Sequence, residues 1–280
     1  MTVVACYVVE EPFGECFPKL DVAGSIPVSR SIFSIPDRIL PAEPRRSPDE
    51  ATMAADSPTV PDSQSCLPLF TVGHSNLDFL PFVKLLKDRS VDLLIDVRSQ
   101  ARSGRFPQFS QPGFDKMLED AGIRYLFLGD ELGGRPDDED AYRQDGLVVG
   151  RQVDYRERRK SYAFRTGIER VLEELQRASC ALLCAEEDPL ECHRFLMICP
   201  ELVRMGIRPL HIRKGSQTES QSKIESQEDA ENRLLAAHGF GGVAADTLFP
   251  QLRTDALEKA YDLQAGKFAY RLGPLAVDRW

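Results

Sequence analysis

Five short apolar runs, at residues 69–73, 91–97, 123–128, 180–184 and 208–212, alternate with stretches of helical spacing. Nothing else in the chain constrains its fold as much. A short apolar run between turn signals is what a strand covered on both faces looks like. A strand, a helix and a second strand in succession close a crossover within a parallel sheet. The expected fold is α/β, an open, mostly parallel sheet of about five strands with helices on both faces. Helices are expected near 77–87 with Asn76 as the cap, at 112–122, 162–178, 189–205, 228–237 and 255–271.

The flanks read differently. Residues 1–66 are rich in Pro and Ser without a sustained period, so they are expected to form a disordered extension. Met53 offers a downstream start, on which residues 1–52 would be an over-extended gene start. Residues 67–280 are expected to form a single α/β domain, with a polar linker at 214–226 ahead of the C-terminal helices. The chain has 280 residues, 42% of them hydrophobic, which allows a sizeable core. A formal charge of −9 argues against non-specific nucleic-acid binding, which draws its affinity from phosphate neutralisation. No apolar run approaches the roughly 20 residues that span a bilayer. Seven scattered cysteines, an odd number, point to a reducing, cytoplasmic setting rather than a disulfide framework.

In open α/β sheets, ligands bind beyond the carboxyl ends of the strands. The polar clusters of this chain fall there. His74 and Ser75 follow the first run; Arg98, Arg102 and Arg105 follow the second; Gly133, Gly134 and Arg135 follow the third. The fourth run opens the densest stretch, with Cys184, Glu186, Cys192, His193 and Arg194 inside one strand-to-helix turn.

That stretch supports two kinds of chemistry. A thiolate nucleophile at Cys184 could use His193 or His74 as proton carrier and Glu186 as acid–base or orienting group. The guanidinium forks of Arg98, Arg102, Arg105, Arg135 and Arg194, with Ser75 and the Gly133-Gly134 backbone, suit a carboxylate or phosphate. Alternatively Cys184, Cys192, His193 and His74 supply sulfur and nitrogen donors for zinc, although a Cys-x7-Cys-His spacing is not that of a zinc knuckle. Asp188, Pro189 and Glu191 fit a helix start, with Asp188 as N-cap and Glu191 closing a capping box. His211 and Cys180 on strands, and Cys199 on a helix, read as core positions, and His238 as a helix-end cap.

Five motifs in order carry a family resemblance: Thr71-Val72-Gly73-His74-Ser75, Ile95-Asp96-Val97-Arg98-Ser99, Arg102 to Phe109, Leu132-Gly133-Gly134-Arg135, and Cys184-Ala185-Glu186 through Cys192-His193-Arg194, followed by Leu210-His211-Ile212. Over residues 69–215 the chain resembles the DUF488 family, a bacterial domain of unknown function. The resemblance implies an α/β fold and leaves the activity open. The expected function is an enzyme, a Cys-dependent hydrolase or transferase, acting on a small anionic or nucleotide-like substrate at the carboxyl edge of the sheet. No cofactor is expected beyond the competing zinc reading. The contrasting expectation is a module that binds a nucleotide or a nucleic-acid end without turnover.

Overall fold

A computed structural model describes residues 67–143, 151–215, 222–242 and 250–273. The chain divides into two units, 1–64 and 65–280. The extension expected over residues 1–66 lies outside the described residues, and every element named below belongs to the second unit.

The five expected strands form. They are β1 (Leu69–Gly73), β2 (Leu93–Asp96), β3 (Arg124–Phe127), β6 (Cys180–Cys184) and β7 (Leu210–Arg213). All pair in parallel, and an antiparallel edge strand, β8 (Lys223–Ser226), completes a six-stranded sheet in the order β3-β2-β6-β1-β7-β8. Strand β8 occupies part of the expected 214–226 linker, of which residues 216–221 are outside the described residues. Lys223-Ile224-Glu225-Ser226 lacks the apolar signature of its neighbours because its buried position is Glu225, which is held by ion pairs with Arg213 and Arg233.

Alternation of side chains along each strand divides the core in two. Phe70, Val72, Leu94, Ala181 and Leu183 point to one face and pack beneath α1 (Phe79–Lys87) and α2 (Phe114–Asp120). Leu69, Leu93, Ile95, Cys180 and Leu182 point to the other, beneath α5 (Tyr162–Leu175), α6 (Cys199–Arg204), α7 (Gln227–Ala237) and α8 (Pro250–Phe268). From β1 the chain runs outward to β2 and β3 with its helices on the first face. It then returns to β6 and β7 with helices on the second. Strand β6 is thus flanked by β1 and β2, whose following helices lie opposite its own, and its carboxyl end stands at the topological switch point where such sheets form a crevice.

Shorter elements complete the unit: α3 (Gly129–Leu132), α4 (Tyr155–Lys160), and a small sheet of β4 (Tyr142–Arg143), β5 (Arg151–Val153) and β9 (Arg271–Leu272). Three α-helix starts use side-chain caps: Asp154 accepts from Arg156 and Glu157 N–H, Ser161 from Phe164 N–H, and Ser226 from Asp229 N–H. Asn76 does not cap α1; Asp78 precedes that helix, and Asn76 instead accepts from Ser75 Oγ and Lys214 Nζ.

The helix expected over 189–205 is broken. Pro189–Glu191 is a single 3₁₀ turn, Cys192 is extended at φ −130° and ψ 140°, and the helix resumes as a π-helical turn, Arg194–Ile198, that runs into α6. Asp188 caps the first turn by accepting from Leu190 N–H, as expected. Glu191 does not close a capping box; it is exposed and lines a cavity. No described helix is long and apolar enough to cross a membrane.

Candidate functional site

A cavity of about 250 Å³ opens at the carboxyl end of β6. Cys184 and Glu186 line it with His193, Arg98, Arg102 and Arg135. The period of two along β6 aims Cys184, like Cys180 and Leu182, at the face that carries the 192–194 segment. Because Cys192 is extended, it and His193 both turn toward that sulfur, which consecutive residues of a continuous helix would not do.

Cys184 Sγ lies 2.9 Å from Glu186 Oε2 and 3.5 Å from His193 Nδ1, and Cys192 Sγ lies 3.9 Å from the same nitrogen. His193 Nε2 is 2.8 Å from the carbonyl oxygen of Val97. A carbonyl only accepts, so Nε2 carries a proton, and the lone pair of the ring in its neutral form sits on Nδ1, facing the two sulfurs. Burial works to lower the ring's pKa, but the Cys192 sulfur and Glu186 outweigh it and raise it.

Gly134 makes room for this ring, since a Cβ there would lie 2.9 Å from His193 Cγ. Gly73 does the same for the loop after β6, where a Cβ would meet the Glu186 carbonyl oxygen at 1.7 Å. Gly133 is buried, and a Cβ on it would fall 2.7 Å from Ser99 Oγ. These glycines shape the site's walls.

Arg194 was expected to hold substrate, but its place is different. It is fully buried and does not line the cavity. Nη1 donates to Glu186 O at 2.6 Å, Nη2 to Glu187 O at 2.8 Å, and Nε to Thr71 Oγ1 at 3.3 Å. It therefore ties down the loop that carries Glu186. A buried guanidinium whose hydrogen bonds go to neutral oxygens calls for negative charge nearby. Burial works to lower its pKa, but the sulfur pair and Glu186 lie beside it and raise it. Burial works to raise the pKa of Cys192, but the Cys184 hydrogen bond, Arg194 and His193 outweigh it and bring that thiol well below its ordinary value. Burial and the Cys192 sulfur push Cys184 up. The two thiols titrate as one pair. Burial and the Cys192 charge also raise Glu186.

His74 does not join the cavity. It is buried on the α1–α2 side, its ring stacked 4.4 Å from that of Phe109, with Nδ1 on Ser75 O at 2.9 Å. Burial lowers its pKa to about 4. The reason is again parity: one residue past Gly73, it follows Val72 onto the opposite face of the sheet from Cys184. Ser75 is also outside the cavity, at a left-handed φ of 49° with its N–H on Ala185 O.

The arginines separate into two groups. Arg98 is clamped to Asp96, with contacts of 2.9 and 2.6 Å, and Tyr125 donates to the same carboxylate at 2.7 Å. Its Nη1 has no protein partner and the residue lines the cavity. Arg102 and Arg135 are exposed at the rim, with Arg135 over the Tyr270 ring at 4.7 Å. Arg105 is exposed over Phe106 and does not line the cavity. Tyr155, Phe268 and Tyr270 complete the wall. These aromatics were missed because they come from α4 and from the end of α8, far along the chain from the polar clusters.

The core positions hold as expected. His211 is buried between Thr71 Oγ1 and Gln227 Oε1, at 2.8 and 3.1 Å, and burial lowers its pKa to about 3. Cys180 and Cys199 are free and buried. His238 ends α7, with Nε2 on Gln264 Oε1. Of the four donors weighed for a metal, Cys184, Cys192 and His193 lie within 4.8 Å of one another, and His74 is not among them.

An α/β sheet with a thiol–imidazole–carboxyl group at its switch point defines the class of this protein. Within that class, residues 80–198 match the model of the family described as "Domain of unknown function DUF488". The matched span is narrower than the 69–215 suggested by the motifs. Searches of curated proteins and of solved structures find no match to the chain.

Proposed function

We propose that this protein is a thiol-dependent hydrolase or transferase that acts on a small anionic or nucleotide-like substrate, with Cys184 as the nucleophile. One observation carries the reading: the Cys184 sulfur lies at a cavity wall, 3.5 Å from a ring nitrogen whose tautomer is set by Val97. The substrate's anion takes the free Nη1 of Arg98 and the rim guanidinia of Arg102 and Arg135. Tyr155 and Tyr270 offer apolar faces for a ring. Cys184 then attacks the electrophilic centre while its proton passes to His193 Nδ1, and Glu186 orients the thiol. His193 returns that proton to the leaving group, and water or a second substrate then takes the transferred group from the sulfur. Arg194 and Thr71 keep the loop in place and take no part in the reaction.

The test is alkylation by iodoacetamide mapped by mass spectrometry. Cys184 in the native protein is expected to react faster than in H193N by about a hundredfold, the scale of a lost general base. Equal rates in the two proteins would sink the nucleophile. Thermal stabilisation by phosphate or a mononucleotide alongside equal rates would favour binding without turnover.

A further inference from the structure

We infer that Cys184, Cys192 and His193 form a site for one thiophilic divalent cation of the zinc class, and that its occupation masks Cys184. The masking rests on Cys184 being the reactive thiol; the cation site itself does not.

Three donor atoms, two sulfurs and one nitrogen, lie within 4.8 Å of one another. A tetrahedral zinc with sulfur at about 2.3 Å and nitrogen at about 2.0–2.1 Å holds those two atoms about 3.5 Å apart. The two sulfur–nitrogen separations here are 3.5 and 3.9 Å. The ring is also turned the right way. A ligating histidine commonly donates its second nitrogen to a carbonyl or carboxylate, and His193 Nε2 on Val97 O leaves Nδ1 as the donor. Cys192 Sγ already accepts from Arg194 N at 3.4 Å, a bond that steadies a ligand sulfur. The soft donors select zinc-like ions over magnesium or calcium.

Spacing alone argued against such a site, because a Cys-x7-Cys-His run is not a knuckle. The extended backbone at Cys192 supplies what the spacing lacks. Cys184 and His193 line the cavity and Cys192 does not, so the fourth coordination position faces the cavity. Water, substrate or the Glu186 carboxylate, 2.9 Å from Cys184 Sγ, would fill it. On binding, each sulfur that carries a proton releases it to solvent, and the lone pair of Cys184 that would attack the substrate is given to the ion.

Cobalt(II) reports such a site by colour. The full chain, reduced and stripped with a chelator, is titrated with Co2+. A sulfur-to-cobalt charge-transfer band is expected that saturates at a single equivalent and is displaced by Zn2+. Folded C192S and H193N are expected to lose it. With one equivalent of Zn2+, alkylation of Cys184 is expected to slow about tenfold or more, and a chelator restores it. If C192S fails to fold, joint protection of Cys184 and Cys192 by Zn2+ in the native protein carries the same test of the ligand set. No band in the folded native protein overturns the cation site. A band that survives in C192S overturns its ligand set. A band with unchanged alkylation overturns the masking. Fast, His193-dependent alkylation of the stripped protein is a separate readout, so the nucleophile and the cation site stand or fall apart.

Discussion

His193 Nε2 donates to the carbonyl oxygen of Val97 at 2.8 Å, and this one bond decides which face of the ring is chemically useful. It joins the end of β2 to the segment after the 3₁₀ turn, and it turns Nδ1 to the two sulfurs. The consequences can be measured.

Gly134 holds the other side of the ring. G134A places a Cβ 2.9 Å from His193 Cγ, and the near end of a ring cannot yield cheaply. The variant is expected to lose about 1–3 kcal/mol in urea unfolding and to slow alkylation of Cys184. Unchanged alkylation would mean that the ring's placement does not govern the thiol.

Arg194 is expected to be a stability residue. R194M leaves the Glu186 and Glu187 carbonyls without their donors in a buried setting. A loss of about 3–5 kcal/mol is expected by urea unfolding, and R194K should recover only part of it because an ammonium cannot fork to both oxygens. A loss near zero would show that the loop is held by something else.

Asp96 and Arg98 form a buried pair, 0% and 6% exposed. D96N leaves the guanidinium uncompensated and is expected to cost about 3–5 kcal/mol. Thermal unfolding of D96N against the D96N/R98M double variant checks the origin, because removing both charges should restore part of the loss.

His211 predicts a pH dependence. Its folded pKa of about 3 lies below the ordinary 6.5, so the unfolded chain takes up a proton that the folded protein refuses. The contribution is fully present above pH 6.5 and is lost as pH falls toward 3. Between pH 6.5 and 4 the native protein is expected to lose about 3 kcal/mol through this residue. His74 titrates in the same direction, so the measurement is the difference between H211N and its parent in the slope of the urea-unfolding free energy against pH. Parallel slopes would refute the assignment.

Much of this architecture was legible in the residues. The five parallel strands are apolar because both their faces are covered, and an apolar run is the strongest local signal a strand leaves. The meeting of Cys184, Glu186 and His193 followed from placing them at one strand end. Strand β8 escaped because its buried position is Glu225, so Lys223 to Ser226 shows no apolar run. The break at Cys192 escaped because Asp188-Pro189-Leu190-Glu191 is a sound helix start, and no residue type there signals the extended backbone at Cys192 that brings two sulfurs and a ring together. His74 and Arg194 went to the wrong roles for different reasons. Side-chain parity sends one behind the sheet, and a guanidinium that finds carbonyl partners can be buried whole, which residue type alone argues against.

The position of β6 between β2 and β1 has a dynamic consequence. His74 N–H and Val97 N–H bond the carbonyls of Cys184 and Leu183 from either side, so the reactive strand end is clamped by both neighbours. Backbone in the middle of a sheet opens only when the whole unit opens. Amide exchange over residues 181–184 should then be as slow as global unfolding allows, while the rim at Arg102 and Arg135 exchanges early. The substrate's surroundings can breathe on the time scale of binding, and the sulfur cannot leave its post without the protein ceasing to be folded.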